Sequence, residues 1–184
     1  MLGFRVGGVR IRLYFGFFAM LTFYFYLYGR DTAAVGAALI CCLLHELGHL
    51  AAMLLLGYPP RALCFYAGGI KLVPCRRVVP RGRQAVILAA GCAVNAALAG
   101  VSYAAGLGAL VYVNLAVCLL NLLPLSCLDG GRLIMLYLPE RARKTAAALT
   151  VIPLCIAAAV ISPPSAVMIA LFAAASETVM DTGS

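Results

Sequence analysis

Charge is what this chain has least of. Of 184 residues, 11% are Asp, Glu, Lys or Arg and 65% are hydrophobic, and the mean hydropathy is +1.04. A water-soluble domain is about a quarter charged, so that class is excluded. Acidic groups are scarcer still, six against fourteen basic ones, and histidine occurs only twice. Among the eight cysteines there is no C-x-x-C pair, which removes a zinc ribbon and a dithiol redox motif. Cys41, Cys42, Cys92, Cys118 and Cys155 lie in apolar runs, where cysteine acts as a small hydrophobic residue. Internal repeats, low-complexity tails and an appended soluble domain are not detected.

What the chain does have is apolar runs of membrane-crossing length, at 11–29, 32–57, 84–106, 109–125, 145–161 and 163–176. The expected fold is therefore an all-α polytopic membrane protein, one transmembrane domain over residues 1–184, with about six helices. The last run follows Pro163-Pro164, and a re-entrant or tilted piece there leaves five. The basic opening resembles a signal peptide, but no small-x-small site follows the apolar run at Tyr24 to Tyr28, so a retained first helix is expected.

The distribution of positive charge argues against nucleic acid as a partner. With six alternating spans, one set of loops holds Arg5, Arg10, Arg12, Arg61, Lys71, Arg76, Arg77, Arg81, Arg83, Arg132, Arg141, Arg143 and Lys144, and the other holds only Arg30. The positive-inside rule makes the first set cytoplasmic, with the N-terminus on that side. Attraction to anionic lipid is a secondary effect.

Residues 58 to 83 form the one long connection. Two short β-prone pieces, Leu63 to Tyr66 and Ile70 to Val73, meet at Gly68-Gly69, which reads as a hairpin or as a plain loop. An exposed strand at a membrane surface would offer unpaired backbone groups to a partner strand.

The chemistry is concentrated in "HELGH". His45 and His49 are four residues apart, so on a helix their imidazoles share a face and can ligate one metal, for which zinc is the natural choice. Glu46 stands beside the first ligand, placed to act on water as general base. An unpaired carboxylate in an apolar helix would be penalised, which argues against a chance match.

Catalytic zinc usually takes three protein ligands, and the acidic inventory makes the search for the third short. Asp31 falls on the opposite side by the charge argument, Glu177 and Asp181 are in the tail, and Glu140 lies in a basic stretch. That leaves Asp129, in "NLLPLSCLDGGRL", where Pro124 and Gly130-Gly131 indicate irregular backbone; such backbone is tolerated at membrane depth when it lines a protein cavity. Asn95 and Asn121 are the other polar residues of interest in apolar runs, suited to packing between helices or to orienting a substrate carbonyl.

"HELGH", "AGCAVN" at 90 to 95 and "NLLPLSCLDGG" at 121 to 131, in that order, resemble the site-2 protease family of intramembrane zinc metalloproteases over residues 33–140. The resemblance implies one zinc per chain held by His45, His49 and Asp129, with Glu46 as the catalytic base. It implies a membrane-associated protein substrate in the lipid bilayer, cut near the cytoplasmic face of a bacterial cell membrane. Substrate-positioning roles would fall to Asn95, Asn121, Gly68 and Gly69, and control to a membrane regulatory partner. The compact form is most similar to the sporulation-type branch, whose members process a sigma-factor precursor. Two departures stand out: Cys92 and Cys127 occupy positions where the family commonly has proline, and no CBS domain is present. A metal-ion transporter and an inactive protease-like scaffold remain as alternatives.

Overall fold

The computed structural model describes residues 2–6, 9–15, 22, 32–66, 69–74 and 78–161. In chain order the elements are β1 (Leu2–Val6), β2 (Val9–Leu13), α1 (Thr32–Leu55), β3 (Pro60–Tyr66), β4 (Gly69–Pro74), α2 (Arg81–Ala104), α3 (Gly108–Asn121), α4 (Asp129–Met135) and α5 (Glu140–Ile161). They divide into two compact units, Met1–Cys118 and Leu119–Ser184.

The first unit is built on α1 and α2, each 24 residues long. At about 1.5 Å per residue such a helix exceeds a hydrocarbon core of about 30 Å. Among the described residues, Gly36–Leu55 and Arg81–Ala104 are the two helical stretches long and apolar enough to cross a membrane. Both helices end alike. Gly57 (φ 77°) and Gly106 (φ 71°) take the left-handed conformation, and the next residues fold back, Tyr58 N–H onto Met53 O at 2.8 Å and Leu107 N–H onto Ser102 O at 2.9 Å. This is the glycine-terminated stop that satisfies the last helical carbonyls.

Polarity in this unit is inverted relative to a soluble protein. His45, His49, Asn95 and Asn114 are buried, whereas Leu55, Val101, Tyr103 and Tyr112 are largely exposed. Apolar surface facing outward around a polar interior is what a helix pair in lipid requires. The two helices approach closely because of their glycines: a Cβ on Gly48 would stand 2.8 Å from Val94 Cγ2 and 2.9 Å from the Ala90 carbonyl oxygen.

A four-stranded sheet in the order β1-β2-β3-β4 completes the unit. β3 and β4 pair antiparallel from Pro60↔Pro74 to Tyr66↔Gly69, so the expected hairpin is present, with Gly69 opening β4; Gly68 lies outside the described residues. The other half of the sheet departs from the all-helical expectation. β1 and β2 form a second antiparallel hairpin, and β2 runs parallel to β3. The run expected to start a helix at residue 11 is strand through Leu13. Its physical cause is visible in "VRIRL", where apolar and basic residues alternate with the period of a strand. The remainder of that first expected span lies outside the described residues apart from 14, 15 and 22.

In the second unit the chain leaves α3 at Asn121, passes through irregular residues 122–128 and enters the short α4 at Asp129. The span expected over 109–125 therefore stops early: α3 has 14 residues, fewer than the roughly 20 a full crossing needs. Pro124 ends it, because a proline disfavours helical backbone in the residue before it. Gly130 and Gly131 are helical, in α4, and serve close packing, since a Cβ on either would collide with the carbonyl oxygen of Leu122 or of Leu125. α5 begins at Glu140 and carries Pro153 within it. Near its start the buried Arg143 reaches the Pro124 carbonyl at 3.4 Å. Residues 162–184, with the sixth expected run, lie outside the described residues.

Candidate metal centre

His45 and His49 project from one face of α1, with ring centroids 4.7 Å apart and planes at 86°. Their Nε2 atoms are 3.1 Å apart. The opposite ring nitrogens are each held by an acceptor on α2: His45 Nδ1 by Asn95 Oδ1 at 2.8 Å, and His49 Nδ1 by the Ile87 carbonyl oxygen at 2.7 Å. A carbonyl oxygen only accepts, so His49 carries its proton on Nδ1. The Asn95 amide is oriented by its own donations from Nδ2, to Cys41 O at 3.3 Å and Asn114 Oδ1 at 3.0 Å. Its oxygen therefore faces His45, which is likewise protonated at Nδ1.

Both Nε2 atoms are thus acceptors with lone pairs directed at one small region. Two such lone pairs at this separation repel, and a metal ion between them would turn repulsion into binding. Hydrogen bonding of the far nitrogen to a carbonyl or carboxamide oxygen is how metal-binding histidines are oriented and made more basic. The space is kept open by Gly91 of α2. A Cβ there would stand 2.5 Å from His49 Nε2 and 2.6 Å from His45 Nε2, in the volume a ligated ion would use.

Glu46, next to His45 on α1, is half-buried. Asp129 is buried at the first position of α4, a location where the helix dipole favours a carboxylate. Asp129, the third ligand expected from the sequence, belongs to the second unit, and His45 and His49 to the first. Two imidazoles whose Nε2 atoms face the Cβ-free side of Gly91 are donors of the type that zinc takes.

Asn121 is the last residue of α3 and is half-buried. Asn95 is fully buried and contacts His45, so its observed place is behind the His45 imidazole. Three participants escaped the sequence reading. Gly91 lay within the quoted "AGCAVN" but nothing in sequence gave its steric role. Asn114 carried a usable signal, an amide in an apolar run. The Ile87 carbonyl belongs to the backbone and has no sequence signal.

Residues 105–161 match peptidase family M50. That stretch contains Asn121 and Asp129 but not the histidine pair. No curated protein sequence matches the chain. A solved structure does: the site-2 protease from Methanocaldococcus jannaschii aligns with a TM-score of 0.64 at 21% identity, covering 95% of this chain and 91% of that one. The fold is that of a site-2 protease. Family match and fold together support the resemblance found in the motifs.

Proposed function

We propose that this chain is an intramembrane zinc metalloendopeptidase that cuts a membrane-associated protein substrate near the cytoplasmic face of a bacterial cell membrane. The observation that carries the reading is the imidazole pair, two Nε2 acceptors 3.1 Å apart with both Nδ1 atoms committed to oxygen acceptors. His45, His49 and Asp129 would hold one zinc ion per chain. Bound there, zinc supplies Lewis acidity, polarising a scissile carbonyl and making water easier to deprotonate.

The remaining steps belong to the chain itself. Glu46 takes the proton from the attacking water and returns it to the leaving amine. A helical peptide bond is shielded, so the substrate has to be extended where it is cut. Among the described strands β4 lies at one edge of the sheet, and strand addition there would hold an extended segment; Gly68 and Gly69 would serve to position it. Asn121 would hydrogen-bond the substrate backbone. The catalytic core occupies about residues 33–140, in a multi-pass chain whose basic loops face the cytoplasm. The compact motif set favours a sigma-factor precursor of sporulation as substrate, under the control of a membrane regulatory partner.

The test uses the full chain in mild detergent. About one zinc per chain is expected, retained in Glu46→Gln and lost in His45→Ala. A library of quenched fluorescent transmembrane peptides should be cut by the unmodified chain and not by Glu46→Gln. Cleavage persisting in that variant removes Glu46 as the base; absence of zinc from protein purified with metal available overturns the reading.

A further inference from the structure

The relay behind His45 extends one residue further than the ligand needs, and its direction is fixed at the far end. Asn114 of α3 donates from Nδ2 to the Leu110 carbonyl oxygen at 2.9 Å, an atom that can only accept. This turns Asn114 Oδ1 toward α2, where it accepts from Asn95 Nδ2 at 3.0 Å. Asn95 Oδ1 is then the atom left to face His45 Nδ1, at 2.8 Å. Every donor–acceptor choice follows from the one before, and the chain of choices starts at a backbone carbonyl. All three side chains are buried, Asn95 at 0% exposure and the other two at 3%, so water does not compete with these hydrogen bonds.

We propose that Asn114 is a positioning residue that sets the tautomer of His45 through Asn95. Without Asn114, the Asn95 amide keeps only the 3.3 Å contact to Cys41 O, a long hydrogen bond. The amide can then rotate to present Nδ2 to His45, which answers by moving its proton to Nε2 and losing its ligand lone pair. His49 provides an internal control, because the Ile87 carbonyl fixes its tautomer directly at 2.7 Å. The inference rests on the zinc-site reading for its consequence, but the tautomer itself is a property of the metal-free chain.

Histidine occurs twice in the sequence, so full-length protein labelled with 15N-histidine gives two imidazole signals. Their two-bond nitrogen–proton correlations, in metal-free protein in mild detergent, report which nitrogen is protonated. Both rings are expected as Nδ1–H. In Asn114→Leu the His45 ring should shift wholly or partly to Nε2–H while His49 stays unchanged, and zinc affinity by chelator competition should fall about tenfold, within the range known for residues behind a ligand. Asn114→Asp, which keeps an oxygen toward Asn95, should restore the Nδ1–H form of His45. If the leucine variant does not fold, Asn114→Ser, whose hydroxyl is too short to reach Asn95, carries the same comparison. An unchanged His45 tautomer in Asn114→Leu, a shift of both rings together, or an Nε2–H ring in the unmodified chain overturns the proposal. Two Nδ1–H rings that take up no zinc would leave the relay standing and sink the zinc reading instead.

Discussion

At the scale of single residues, Gly91 separates metal binding from folding. Replacing a mid-helix glycine with alanine ordinarily stabilises by about 0.5–1 kcal/mol. Here the new methyl would stand 2.5–2.6 Å from the two Nε2 atoms, and the imidazoles, being side chains, can swing away more easily than backbone. Gly91→Ala is therefore expected to keep or raise the thermal midpoint of the metal-free protein while zinc affinity falls by at least an order of magnitude, as when ligands lose their orientation. Zinc content and a melting curve on one preparation check both halves, and a variant that still holds a full complement of zinc refutes the assignment of that space. The residue scale is also where the sequence was most legible. With so few histidines and acids available, spacing and elimination single out His45, Glu46, His49 and Asp129 as the candidates. What supports them could not be, because a carbonyl's direction and a glycine's lack of bulk become meaningful only once two helices are packed.

At the scale of elements, the break between α3 and α4 is closely packed at its two glycines. The glycines after Asp129 read from sequence as turn residues, yet no positive φ occurs there; their smallness, not their flexibility, is what the fold uses. Gly131→Ala would drive a methyl into the Leu125 carbonyl, and backbone cannot give way as an imidazole can. Overpacking of this kind typically costs about 1–3 kcal/mol, and α4 begins at Asp129 itself. The variant should lose thermal stability and zinc together, in contrast to Gly91→Ala. Gly100→Ala, with nothing within 4 Å of the added Cβ, is the matched control and should be neutral or stabilising. Equal behaviour of the two variants would mean that close packing at the break is not what the glycines provide. Among the longer elements, the apolar runs of α1 and α2 and the β3–β4 hairpin were readable because length and turn chemistry act locally. The β1–β2 hairpin was obscured by the apolar run that follows it, although the alternation of "VRIRL" is a strand signal in its own right.

At the scale of the whole molecule, the sheet bears on sidedness. Loop charges alone group Arg5, Arg10 and Arg12 with Arg61 and Lys71 by counting spans. The strands group them by hydrogen bonding, because β2 pairs with β3 and β3 with β4, and a sheet cannot straddle a bilayer. The N-terminal segment and the segment following α1 therefore share a side whatever the number of spans. α2 then starts from that side at Arg81 and ends at Ala104, and the link to α3 at Gly108 contains no charged residue. On the orientation proposed above, the sheet would face the cytoplasm and this link the opposite side. Reporter fusions should accordingly place the N-terminus and an insertion after Val79 inside the cell, and an insertion after Leu107 outside. The first two reporters test the strand pairing and the third tests the crossing of α2, so the outcomes separate. Opposite sides for the N-terminus and Val79 would contradict the sheet, whereas all three on one side would leave the sheet intact and deny that α2 crosses the membrane.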